Sequence, residues 1–229
     1  MYKFEMHLHT NVCSACARVG IEALIDNYIS LGYSGFVVTN HFYHGNSAID
    51  RSLPQKEFIK AYTDDYYKGL EYSKDKNFTV LFGLEEGYGN GKEMLIYGVE
   101  PEIFLNSPDF IEMSLKEKYN FVKSNGGITV CAHPFRDRFY ITNPDQEPDL
   151  SMFDGIEVYN YGNTEQENHK ALEFASNNPQ KIVTCGGDIH NIDNRISGME
   201  FYNKITDNKE LITELKSNNY KLLLPSKER

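Results

Sequence analysis

The stretch "EMHLHTNVCSAC", residues 5–16, sets His7 and His9 one residue apart and follows them with Cys13 and Cys16. Imidazole and thiolate are ligands for zinc and its neighbours, so three chemistries come into view: a zinc knuckle, a redox pair, or half of a metal centre completed elsewhere. The remaining metal-capable residues recur in short motifs: His41 in "VVTNH", Glu85 and Glu86 in "LFGLEE", His133 in "VCAHP", and Asp188 and His190 in "GGDIH". In an extended chain, alternate residues share a face, so each His-x-His or Asp-x-His pair can deliver two ligands to one cluster. Imidazoles and carboxylates around clustered divalent ions suit ester hydrolysis. The ions lower the pKa of water towards neutrality and offset charge on the reacting oxygens.

Each residue has a blander reading. A lone histidine is usually a satisfied polar side chain, and His44 and His169 are read that way. Acidic residues at strand ends commonly cap helices. That reading loses force because five of the seven histidines (His7, His9, His41, His133 and His190) fall at the same kind of position. A knuckle built on Cys13 and Cys16 lacks a second pair at suitable spacing, and a redox pair leaves the histidines unexplained. Cys131 and Cys185 sit in apolar strands and read as core. No G-x-S-x-G elbow is present.

These motifs need elements to hold them. Apolar runs of strand length are "KFEMHL", "GFVVTN", "FTVLFG", "MLIYGV", "GITVCA", "GIEVYN" and "KIVTCG". Helical patterns separate most of them, among them "IEALIDNYISLG", "KEFIKAYTDDYYKGLEYSKDK", "FIEMSLKEKYNFVKSNGG" and "TEQENHKALEFASNN", with Gly32 and Gly126 as helix stops. Strands alternating with helices predict parallel βαβ units in a small barrel or a strongly wound open sheet. Nearly every strand then carries an imidazole or carboxylate past its C-terminal end, the edge where α/β active sites assemble. The segment "RDRFYITNPDQEPDLSM" reads as a long loop, and the tail from Glu200 as one more strand and a helix around "NKELITELKSNN".

The 229 residues fit one domain spanning 1–229. The mean hydropathy of -0.52 and the lack of a long apolar run exclude a membrane span. The start "MYKFEMHLHT" shows no signal peptide, and four cysteines without a secretory signal read as reduced thiols, which places the protein in the cytoplasm. A net charge of -10 argues against long duplex nucleic acid but leaves small anionic substrates open, since bound cations dominate the field within a cleft. Oligomeric state is not legible.

"HLHT", "VTNH", "GLE", "AHP" and "GGDIH", in that order from His7 to His190, resemble the PHP (polymerase and histidinol phosphatase) family of metal-dependent phosphoesterases. The resemblance implies an α/β fold, a distorted (β/α)7 TIM-like barrel, with two or three divalent ions (zinc, manganese or iron) at the C-terminal ends of the strands. It implies that His7, His9, Glu85 and Asp188 hold one ion, that Glu85 bridges to a second bound by His133, and that His41 and His190 bind a third. Glu85, Asp188 and His190 would be catalytic. The expected reaction is hydrolysis of a phosphate ester of a small metabolite or nucleotide by hydroxide bridging the ions. The chain departs from the family pattern at Asn40, where Asp is common, which would weaken orientation of the adjacent ligand. It also lacks the usual Asp or His after the first motif, where Cys16 is the candidate ligand and Cys13 a packing residue. No second histidine for the middle ion precedes His133, and Glu93 and Glu100 are the alternatives. Arg18 and Arg136 are expected to grip the substrate phosphate, with Arg138 the weaker candidate. Two other readings stay open: hydrolysis of an amide or another ester on the same barrel, and a catalytically weak metal-binding or regulatory module.

Overall fold

The computed structural model describes residues 1–107, 109–192, 194 and 196–225. All seven expected strands form: β1 (Tyr2–Leu8), β2 (Gly35–Val38), β3 (Thr79–Gly89), β4 (Lys92–Tyr97), β5 (Ile128–Cys131), β6 (Gly155–Asn160) and β7 (Ile182–Gly186). They neighbour one another in chain order. The first and last strands then meet: Ile189, just past β7, accepts from the His9 amide at 2.9 Å and donates to the His7 carbonyl at 3.1 Å. The sheet is thereby nearly closed into a barrel.

The count of β/α units differs from expectation. β4 runs antiparallel to both β3 and β5. Its cause is a two-residue turn at Asn90 and Gly91, both at positive φ (55° and 73°), pairing Gly89 with Lys92. Asn-Gly at such positions favours a tight hairpin whose twist matches the strands it joins. No helix therefore crosses between β3 and β4, and a 3-10 turn at Leu150–Met152 is the one helical element between β5 and β6 among the described residues. The tail also exceeds expectation. It supplies two strands, β8 (Gly198–Phe201) and β9 (Tyr220–Leu223), and β8 pairs antiparallel with the first half of β1.

Helices α1 (Ile21–Ser30), α2 (Gln55–Ser73), α3 (Pro101–Leu105), α4 (Leu115–Ser124), α5 (Glu165–Ser176) and α6 (Asn208–Lys216) accompany the sheet. Capping boxes start α4 at Ser114 and α5 at Thr164, satisfying amides that lack an intrahelical partner. Among these described helices none is long and apolar enough to cross a membrane.

Among the described residues three apolar clusters flank the strands, the smallest joining Ile156 and Val158 of β6 to Ala171 and Phe174 of α5. Phe4, Met6, Val37, Leu95, Tyr97 and Val130 pack together with Leu211 and Leu215 of α6, while Leu8, Phe36, Val80 and Phe82 pack with Ile21, Leu24 and Phe58 of α1 and α2. On β1 the faces switch. The register with β2 shifts between Glu5 and Leu8, so Leu8 joins the helix-side cluster while His7 and His9 meet the ligand cluster. A register irregularity of this kind re-aims side chains beside a site.

Candidate metal centre

Glu85 lies at the middle of the strand-end cluster. Its carboxylate is fully buried and approached by four imidazoles: His7 Nε2 at 3.1 Å, His133 Nε2 at 3.0 Å, His41 Nδ1 at 2.8 Å and His9 Nε2 at 3.5 Å. Asp188 adds a second carboxylate 3.1 Å from His9 Nε2 and 3.6 Å from His7 Nε2. Glu93, on β4, lies 3.2 Å from His41 Nδ1 and 3.5 Å from His133 Nε2. The antiparallel hairpin is what brings Glu93 here, pairing it with Gly87 across the β3–β4 ladder.

These distances allow ion pairing, but for several of the atoms the alignment does not make a hydrogen bond. His7 Nε2, His9 Nε2, His41 Nδ1 and Glu85 Oε2 are buried and make no hydrogen bond. Stranding buried polar atoms costs about 1–3 kcal/mol each, so four together need a common partner. Ligands of one zinc ion stand about 3.3 Å apart at usual bond lengths, and the spacings above scatter around that value. Among the described residues four donor sets have ligand atoms within 4.8 Å of one another: His7/His9/Glu85, His7/His133/Asp188, His41/Glu85/Glu93 and His9/His41/His190. The residues present therefore fit divalent ions.

The remaining polar atoms fix these donors. Glu157 accepts from His7 Nδ1 at 2.9 Å and from the His133 amide at 2.9 Å. Ser14 Oγ lies 3.1 Å from His9 Nδ1 and accepts from the His41 amide at 2.9 Å. Asn40 Oδ1 accepts from Ser14 Oγ at 3.0 Å and from the Thr10 amide at 2.6 Å, so Asn40 is linked to His9 and His41 through Ser14. His133 and Asp188 both adopt positive φ (29° and 53°), and such backbone costs of order 1–3 kcal/mol, retained where surrounding bonds over-determine it. Gly186 is required by close approach, since a Cβ there would lie 2.5 Å from the His7 Cβ.

Electrostatics follow the geometry. Burial pulls His7 and His41 down, but Glu85 and the other nearby carboxylates outweigh it and raise both well above the ordinary imidazole range. His9, by contrast, is lowered to about 3 by burial and by the neighbouring His41. Burial raises Glu85 and Asp188, but the histidines around Glu85, and Arg136 with His7 beside Asp188, hold both well below the usual carboxylate range.

Other expected residues are distributed as follows. His190 Nδ1 lies 2.8 Å from the Asp188 carbonyl, and its ring stacks on His9. Cys16 is half-buried on the cleft wall. Burial raises its thiol, but hydrogen bonds with His190 and His41 bring it down to about 6. Cys13 is buried in the helix-side core. Arg136 lines the cleft, and its guanidinium contacts Asp188 Oδ2 at 2.6 Å and donates to Asn160 and Asn163. The side chain of Arg18 is exposed and absent from the cleft lining, and its amide donates to the His190 carbonyl. Arg138 pairs with Glu167. Glu100 is the N-cap residue of α3, accepts from Asn208, and is not part of the cluster. Glu86 faces away from Glu85 towards Lys118 and His44. His169 lies on α5, outside the centre. His44, read as a merely satisfied residue, lies on the cleft wall. Glu157 was not anticipated; its signal is a lone carboxylate inside the apolar run "GIEVYN".

The cluster opens into a cleft of about 600 Å³, lined among others by Cys16, His41, Lys92, Glu93, Arg136 and His190. No protein-family model matches the sequence, and no curated protein matches it. Solved structures do match. A two-domain protein of Bacteroides vulgatus containing a predicted PHP-like metal-dependent phosphoesterase aligns at TM-score 0.70 and 13% identity, over 97% of this chain and 64% of that one. A Bifidobacterium adolescentis protein, provisionally designated a metal-dependent phosphoesterase, aligns at TM-score 0.59 and 15% identity, over 95% and 96% of the two chains. An amidohydrolase of Chromobacterium violaceum, holding sulfate and no metal, aligns at 0.50 and 14%, over 82% and 87%. At these identities the likeness establishes a shared barrel fold.

Proposed function

We propose that this protein is a metal-dependent phosphoesterase that hydrolyses a small phosphate ester, a phosphorylated metabolite or nucleotide. The observation that carries the reading is the set of four buried, unbonded ligand atoms converging around Glu85. His7, His9, Glu85 and Asp188 would hold one ion. Glu85 would extend to a second with His133 and Glu93, and His41, His190 and Cys16 would serve a third. Bound divalent ions supply Lewis acidity, which acidifies water and offsets phosphoryl charge. The chain's own residues do the rest. Glu157 and Ser14 fix imidazole orientation, Arg136 holds Asp188 in place, and the strand ends exclude bulk water from the Glu85 carboxylate. Lys92, on the cleft wall, adds positive charge for an anionic ester.

A cleft of about 600 Å³ suits a small molecule. The net charge of -10 disfavours long duplexes, and the reduced thiols belong in the cytoplasm. The same donors could cleave an amide or carboxylic ester, the reading favoured by the amidohydrolase likeness. The test is a turnover screen of phosphate monoesters beside carboxylic esters and amides, after chelation and return of zinc, manganese or iron. Turnover of phosphate esters alone supports the proposal. Turnover restricted to amides or carboxylic esters overturns it.

A further inference from the structure

His44 stands on the same cleft wall as His41 and Glu93, three residues beyond the former, and belongs to none of the four donor sets. Its Nδ1 lies 2.7 Å from Glu86 Oε1, and its amide donates to Glu86 Oε2 at 3.0 Å, so one carboxylate grips both ring and backbone. Glu86 is fully buried, and its charge is met by Lys118, which is also buried and pairs with the same oxygen. Burying a lone Glu–Lys pair contributes little stability, because desolvation consumes most of the attraction. The three groups make more sense as a unit. Glu86 accepts a hydrogen bond from Nδ1–H and fixes the ring, Lys118 Nζ lies 3.4 Å from the same nitrogen, and the exposed ring stands on the cleft wall.

We infer that His44, positioned by Glu86 and Lys118, protonates the leaving oxygen of the substrate ester. The inference rests on the hydrolase reading above. As the ester bond breaks, its electron pair goes to the leaving oxygen, which takes the proton from His44 Nε2 and departs as the alcohol. His44 is left neutral, with Nδ1–H still on Glu86, and is reprotonated from solvent. The water that adds to the ester gives up one proton, so the reaction is balanced without another reactant. His44 would be a catalytic residue, and Glu86 and Lys118 positioning residues.

The experiment compares kcat/KM across esters whose leaving alcohols differ in acidity, for the metal-reconstituted wild type, His44→Ala and the paired variant Glu86→Gln/Lys118→Met. Proton donation typically contributes about 10²–10⁴-fold. His44→Ala should therefore lose about a hundredfold on alkyl phosphates but only about threefold on nitrophenyl phosphate, whose leaving group needs no proton. Metal content should match the wild type. The paired variant, which removes both buried charges together, should show the same trend more weakly. An equal loss along the whole series, or none, overturns the assignment. If the wild type cleaves only carboxylic esters, the phosphoesterase reading fails, while the same leaving-group trend on those esters still supports His44. A wild type inert to every ester overturns both.

Discussion

His7 Nδ1 and Glu157 Oε1 stand 2.9 Å apart, both fully buried, although 150 residues separate them in the chain. This contact fixes the His7 ring so that Nε2, the nitrogen without a hydrogen bond, faces Glu85 and Asp188. Partners of this kind set the tautomer and basicity of a ligating imidazole, and losing one commonly costs 10–100-fold in metal affinity. Glu157→Gln should weaken binding of the tightest ion by about that factor. Competition with a chelating dye measures it, and wild-type affinity in the variant would remove Glu157 from the centre.

A second expectation concerns pH. In the metal-free protein, burial lowers His7 and His41, but the carboxylates beside them win and raise both. Burial also raises Glu5 to about 7, despite its backbone hydrogen bonds. A raised group stabilises the fold fully below its unfolded pKa, about 6.5 for imidazole and 4.3 for Glu. That contribution disappears as pH rises through the folded value. The lowered carboxylates Glu85 and Asp188 act oppositely: their contribution is present above an unfolded pKa of about 4 and is lost in acid. Ligating histidines must be neutral, so metal binding displaces these protons. With chelator, Tm should fall as pH rises from about 6.5. The further stabilisation by added zinc should grow over the same range. A metal-induced Tm shift independent of pH would contradict the assignment of His7 and His41 as ligands.

Arg136 separates two roles. Its contact with Asp188 Oδ2 at 2.6 Å would make it a support for a ligand under the proposed function. Breaking a buried charge pair by removing one partner costs about 3–5 kcal/mol. Arg136→Ala should therefore lower urea stability by a few kcal/mol and also reduce metal retention. Loss of activity with full metal content and unchanged stability would return Arg136 to the part of a substrate grip.

Much of this was legible because ligands and elements are encoded locally. The seven apolar runs all became strands, and the glycine stops Gly32 and Gly126 hold φ of 74° and 85°. The orientation of β4 is encoded in Asn90-Gly91, a turn signal that the general alternation of strands and helices obscures. That turn decides between Glu93 and Glu100, because only the antiparallel strand carries Glu93 back to the cluster. The partner of His7 could not be read, since nothing in "GIEVYN" says which distant imidazole a buried carboxylate meets. The part played by Asn40 was hidden for a similar reason: it acts through Ser14, a residue of no distinctive pattern.

The two cysteines of the first motif are expected to behave differently. Cys16 lies beside His41 and His190 on the cleft wall, whereas Cys13 is buried in the core. Cys16→Ser should lose one ion selectively, because a hydroxyl is a poor substitute for thiolate on zinc. Cys13→Ser should retain full metal content. A thiol reagent should label Cys16 faster after chelation, and a rate indifferent to chelator would leave Cys16 as a bystander.

The central claim is that the carboxylate of Glu85 joins ions held by histidines from four motifs. Elemental analysis of the metal-reconstituted chain beside Glu85→Gln tests it most directly, since the amide keeps the shape and removes the charge. The wild type should carry two or three ions per chain, and the variant should lose at least one together with its activity, while remaining folded. A wild type that binds none after reconstitution, or a variant with the same metal content as the wild type, would contradict the claim.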